Sequence, residues 1–203
     1  MQTEGLRQGG YFPLINLIRL EIGANPQYIC SMNTALKDFC FDVGDYLADR
    51  SEDRYELIGG QVFMMAPPTV KHQDTVTEIA HQFKTYFAGK SCKTLVSPVG
   101  VCLDENTAVQ PDVLVVCDRS KIGEKTINGA PDLVVEVSSP STKVHDLNRK
   151  RLLYKEAGVR EYWVVDDGRI LKFTFEQNKD EAEIFGGEIQ STVFPGLKVV
   201  LNG

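Results

Sequence analysis

The chain has 203 residues, enough for one well-packed domain and short for two. Hydrophobic residues make up 42% and charged residues 25%, an ordinary globular balance in which no apolar run reaches bilayer-spanning length. The net charge of −6 argues against a protein that coats nucleic acid broadly, yet is compatible with acidic residues gathered around a metal.

Residues 1–31 have no clear period and are interrupted by glycine and proline. They lack the basic start, apolar core and small-residue cleavage site of a signal peptide, so a cytoplasmic protein is expected. They read as an N-terminal extension with little role in the fold, with Met32 as a natural start and residues 32–203 as the domain.

"VGDYLADR" from residue 43 reads as a short helix, and "RYELIGGQVFMMAPP" as a hairpin around Gly59-Gly60 that Pro67-Pro68 ends. Val76, Ile79, Ala80, Phe83 and Phe87 form a helical stripe over residues 70–88. "CKTLVSPVGVCLD" gives one or two strands, and "PDVLVVCD" another. "PDLVVEVSS" is apolar on both faces and so reads as a central, buried strand. "SPST" opens a helix with Ser141 or Thr142 as N-cap, and Gly158 closes it. "REYWVVDDGRI" is a strand, a turn at Asp167-Gly168 and a second strand, with further short strands in the tail. The elements add up to one α/β (α+β) domain with a mixed sheet.

The five cysteines have no metal-knuckle spacing and their count is odd, so they read as reduced thiols filling the core. With three histidines, a histidine-built zinc site is not expected.

Several polar residues stand out of place. Glu136 lies among Leu133, Val134, Val135 and Val137, where a lone carboxylate is costly unless it is paired or binds a cation. An ion pair, a strand end reaching solvent and a metal ligand all fit. Asp132 is four residues away on the same strand, some 13 Å off and too far to share a metal. Asp112 opens the preceding strand, and neighbouring strands lie about 5 Å apart, so Asp112 and Glu136 can converge on one hard cation such as Mg²⁺. Asp132 then starts its strand without taking part in chemistry.

Lys150 falls in the core-facing stripe of its helix with Leu147, Leu153, Tyr154 and Ala157. Either it pairs with Asp146 one turn away, its stem lying along the core, or its ammonium reaches the carboxylates. His72 continues the stripe of the 70–88 helix at its N-terminal end and faces the sheet, as an interior or helix-end histidine or as a site residue. Alternation alone would turn Glu56 to solvent. The basic run "KVHDLNRKRLLYK" suits phosphates or a solvated helix face equally.

The ordered set "YELIGGQV", "MAPP" with His72 after it, "VQPDV", "PDLVVEVSSPST" and "DLNRKRLLYKEAGVREYWVVD" resembles the Uma-two family of restriction endonucleases, a branch of the PD-(D/E)XK nuclease superfamily, over roughly residues 41–200. The resemblance implies a restriction-endonuclease-like fold, a mixed sheet flanked by helices. It also implies Mg²⁺, or Mn²⁺ in its place, held by Asp112 and Glu136. Glu56 and His72 would sit beside the site, with Lys150 reaching in from its helix. The implied substrate is DNA, and a homodimer would suit cutting of both strands. Two positions depart from the pattern. Ser138 stands where the superfamily commonly has its lysine, and Gly59-Gly60-Gln61 lacks acidic residues the family often carries at the hairpin. A nuclease-fold module that binds nucleic acid or a protein without cutting is the alternative.

Overall fold

The computed structural model describes residues 40–139, 146–175 and 182–201. The segment before residue 40 and the expected N-cap at 141–142 lie outside the described residues.

The chain enters through a short helix, α1 (Val43–Ala48), whose Asp42 and Asp45 form a reciprocal capping box. Strands β1 (Tyr55–Ile58) and β2 (Gln61–Met64) follow as a hairpin in which Ile58 faces Gln61. Gly59 and Gly60 carry φ of 57° and 76°. A two-residue turn with both φ positive matches strand twist, and glycine adopts it without a Cβ penalty. Helix α2 (Val70–Tyr86) is capped by the Thr69 side chain, which accepts from the His72 N–H.

The remaining strands are β3 (Lys93–Val96), β4 (Gly100–Asp104), β5 (Thr107–Val109), β6 (Val113–Val116), β7 (Thr126–Asn128) and β8 (Leu133–Val137). A π-helical turn, Asp146–Lys150, runs into α3 (Arg151–Ala157), which ends at Gly158 in the left-handed region, φ 92°. Then come β9 (Glu161–Asp166), β10 (Arg169–Thr174), β11 (Glu183–Gly186), β12 (Glu188–Gln190) and β13 (Lys198–Val200).

Among the described residues the strands form a mixed sheet ordered β11-β10-β9-β8-β6-β3, a second sheet ordered β2-β1-β5-β4-β7, and the pair β12-β13. Strand β8 is central, antiparallel to β6 and parallel to β9, and buried throughout, as its unbroken apolar run requires.

Residue parity divides the core. Val113, Val115, Leu133, Val135, Trp163 and Val165 pack against the α2 stripe Val76, Ile79, Ala80 and Phe83. Phe83 sets its ring edge-on to Trp163 at 5.5 Å. The opposite parity, Leu114, Val134, Tyr162 and Val164, packs with Tyr154 of α3 and with Ile58, Val101 and Val109 of the second sheet. Glu136 has the parity of this second face, and its hydrogen bonds run to Lys150 and to Tyr154 of α3.

The cysteine expectation is corrected. Cys92 and Cys117 form a disulfide across the end of the β3–β6 ladder, and Cys40 is also disulfide-bonded. The pairing follows from strand register: Lys93 faces Val116, so the next residues outward, Cys92 and Cys117, meet. A separation of 25 residues hides this bond in the sequence. Cys102 remains a free thiol.

Candidate active site

The carboxylates gather at one end of the β6–β8 ladder. Val113 pairs with Val135, and Leu114 with Val134, so Asp112, just before β6, falls opposite Glu136. Glu56 comes from β1 in the second sheet, His72 from the first turn of α2, and Lys150 from the π turn before α3. A π turn adds a residue to the helical period and so re-aims the side chains around it; such turns recur at functional sites.

Lys150 is the hub. Its Nζ donates to Glu56 Oε1 and to Glu136 Oε1, each at 2.9 Å. All three residues are buried, with exposures of 4% for Glu56, 4% for Glu136 and 5% for Lys150. Two carboxylates out of water repel each other strongly, and the ammonium between them offsets that repulsion. Two further donors join the cluster. The Gln110 N–H donates to Glu56 Oε1 at 2.9 Å, and the Tyr154 hydroxyl donates to Glu136 Oε1 at 2.8 Å. Burial, followed by the charges of Glu136 and Glu56, pushes the Tyr154 phenol well above its usual range, so it stays protonated as a donor.

Asp112 forms the second half. Its Oδ2 accepts from the Val137 N–H at 2.8 Å and lies 3.1 Å from His72 Nε2. The backbone bond fixes the carboxylate across the strand end, and the imidazole orients it from the α2 side. Both contacts fall on Oδ2.

Asp112, Glu136, Lys150, Glu56 and His72 are thus brought to one end of the sheet, joined in two hydrogen-bonded groups. Glu56, which alternation alone would expose, is buried because the second sheet lays β1 over the first. Asp132 takes the structural part expected of it: its Oδ2 accepts from the Cys117 N–H and its Oδ1 from Arg160. Ser138 donates through its N–H to the Val165 carbonyl at 2.8 Å, which ties it to β9.

The donor chemistry can be compared with the implied cation. Among the described residues there is no group of three or more His, Cys, Asp or Glu side chains that could cage a metal. Mg²⁺ does not need one, since it keeps several waters and binds through one or two carboxylates plus substrate phosphate. Asp112 and Glu136, opposed across the ladder, fit that sparse mode and would be the residues to hold it.

Two residues of the cluster escaped the sequence reading. Tyr154 sits one turn after Lys150 and so shares its helix face; a hydroxyl in an otherwise apolar stripe was the available signal. Gln110 acts through its backbone N–H, which leaves no trace in residue type.

The family model described as Uma2, putative restriction endonuclease, matches residues 42–202. The chain belongs to the Uma2 (Uma-two) family. It is similar to the uncharacterized protein slr1290 of Synechocystis sp., at 25% identity over 134 residues that cover 65% of this chain and 70% of that protein. Its fold matches the crystal structure of a putative nuclease belonging to DUF820 from Anabaena variabilis, with a TM-score of 0.61 and 18% identity. That match covers 72% of this chain and 84% of the other. At that identity the likeness establishes the shared fold of this Uma2 chain, a mixed α+β single domain.

Proposed function

We propose that this protein is a metal-dependent endonuclease that hydrolyses DNA phosphodiester bonds at the Asp112–Glu136 end of the sheet. The observation that carries the reading is the buried charge cluster: an ammonium held at 2.9 Å from two carboxylates on different sheets, opposite a third carboxylate tied to a histidine. Such a cluster is expensive to bury and adds little net stability for its cost. Chemistry that needs fixed charge in a dry site accounts for it.

In this reading Asp112 and Glu136 hold Mg²⁺, or Mn²⁺ in its place. When bound, the ion supplies Lewis acidity to a phosphoryl oxygen and lowers the pKa of a water. Lys150 sets a positive charge beside Glu136, where it offsets charge building up on the phosphate. Glu56 fixes the ammonium from the second sheet, and Tyr154 fixes the Glu136 carboxylate from α3. His72 orients Asp112. Arg149, whose guanidinium carbon lies 4.7 Å from the centre of the Phe63 ring, is a guide for the DNA backbone on the α3 side. Two copies related by a two-fold axis would cut both strands of a duplex.

The deep burial of Lys150 favours one other reading, a nuclease-fold module that binds nucleic acid or a protein without cutting. Incubation of supercoiled plasmid and single-stranded DNA with Mg²⁺ or Mn²⁺, wild type beside Asp112→Asn, separates the two. The enzyme reading expects metal-dependent nicking that the variant loses while its melting midpoint holds. A folded wild type that binds DNA and leaves it intact in both metals overturns it.

A further inference from the structure

Arg54 lies one residue before β1 and shares a strand face with Glu56, two positions on. It is half-buried. Its Nη2 donates to Ser97 Oγ at 2.6 Å and to Gln110 Oε1 at 3.2 Å, and its Nε approaches the same Gln110 oxygen at 3.4 Å. Among the described residues these partners are neutral. Among the described residues these bonds use Nε and Nη2, and the Nη1 edge of the fork is the one that would meet a further acceptor.

Both anchors of this guanidinium also hold the site. The Gln110 N–H donates to Glu56 Oε1, and the Ser97 N–H donates to the Asp112 carbonyl at 3.1 Å. Arg54 is thereby registered against Glu56 on one side and Asp112 on the other. A clip between neutral groups has no need of charge, and partly removing a guanidinium from water is unfavourable when its hydrogen bonds, among the described residues, go to neutral groups. A planar cation anchored through the residues that hold Glu56 and Asp112 suits an anion of matching geometry, and a phosphate diester is one.

We infer that Arg54 is a phosphate-binding residue that grips the DNA backbone next to the scissile bond. The inference rests on the nuclease reading above. It assigns Arg54 to binding and positioning, with no part in proton transfer.

The test is the affinity of a fluorescent DNA duplex measured across a salt series, with Ca²⁺ replacing Mg²⁺, for wild type, Arg54→Ala and Arg54→Lys. Removing one cation that neutralises a phosphate reduces the slope of log K against log salt by about 0.9. Arg54→Ala is expected to bind several-fold more weakly on every sequence, with its slope reduced by that amount. Arg54→Lys, which keeps the charge and loses the fork, is expected to keep the slope and recover part of the affinity. A merely structural Arg54 would lower the melting midpoint and leave the slope of the folded fraction unchanged, and that result overturns the inference. A wild type that binds no DNA overturns the nuclease reading and this inference with it.

Discussion

Glu136 and Glu161 are buried glutamates on the neighbouring strands β8 and β9, and the chain treats them oppositely. Glu161 is fully buried, and both of its oxygens are met by neutral groups. Oε1 accepts from the Trp163 indole, and Oε2 from the Ser191 hydroxyl and the Thr192 and Val193 N–H groups. Three of these four donors lie in the turn after β12, so Glu161 pins that turn to the sheet. Glu136 is met by the Lys150 ammonium, which it shares with a carboxylate of the other sheet. A carboxylate buried for architecture is closed by fixed dipoles. One buried beside an ammonium keeps a charge balance that a cation or a phosphate can re-partition. In the proposed reading the kind of partner, and not burial alone, separates Glu136 from Glu161.

The largest effect should come from removing the hub. Lys150→Ala leaves Glu56 and Glu136 buried without their counter-charge, and the loss is expected at about 3–5 kcal/mol in a urea melt. Lys150→Met tests the same point with the volume kept. If either variant is as stable as wild type, the two carboxylates do not need the ammonium and the contrast with Glu161 fails.

Next is Glu161→Gln, which puts an amide where two N–H groups and two side-chain donors point. It should cost about 2–3 kcal/mol by the same melt, because buried donors lose a charged acceptor. Its cleavage rate per folded molecule should stay at the wild-type level.

Tyr154→Phe removes one hydrogen bond to Glu136 and should cost about 1 kcal/mol near neutral pH. It also has a pH signature. The folded chain holds the Tyr154 proton well above the ordinary 10.0, whereas the unfolded chain releases it there. Above pH 10 the unfolded state therefore binds fewer protons and stability falls, by up to about 1.4 kcal/mol per pH unit. Tyr154→Phe should make this alkaline decline shallower in melts between pH 9 and 11. An unchanged decline would place the phenol outside the cluster.

The smallest effect is expected at Lys71–Asp167, an ion pair of 2.8 Å between side chains 80% and 85% exposed. Lys71→Ala should leave the melting midpoint unmoved, since solvent screens such pairs. A clear drop would show that charge counts on this protein's surface as it does in its interior.

Much of this was legible in the sequence. The period-two and helical patterns located the hairpin, α2, β8 and the β9–β10 pair, because each element buries a continuous apolar face. The ill-placed charges pointed to the buried cluster, since an isolated Glu136 or Lys150 in an apolar stripe demands a partner. The partner itself was not legible. Lys150 and Glu56 are 94 residues apart and meet only because the second sheet lays β1 over the first. The Cys92–Cys117 bond and the Gln110 N–H bond were hidden for the same reason: register and backbone donors have no signature in residue type.

The most direct measurement is plasmid nicking by Glu136→Gln and Glu161→Gln side by side, with Mg²⁺, each rate divided by the folded fraction. The account predicts a loss of about 100-fold or more for Glu136→Gln, as for removal of an electrostatic group from a reaction centre, and wild-type rates for Glu161→Gln. Equal rates in the two variants would contradict it, because the charge at Glu136 would then be architecture, as it is at Glu161.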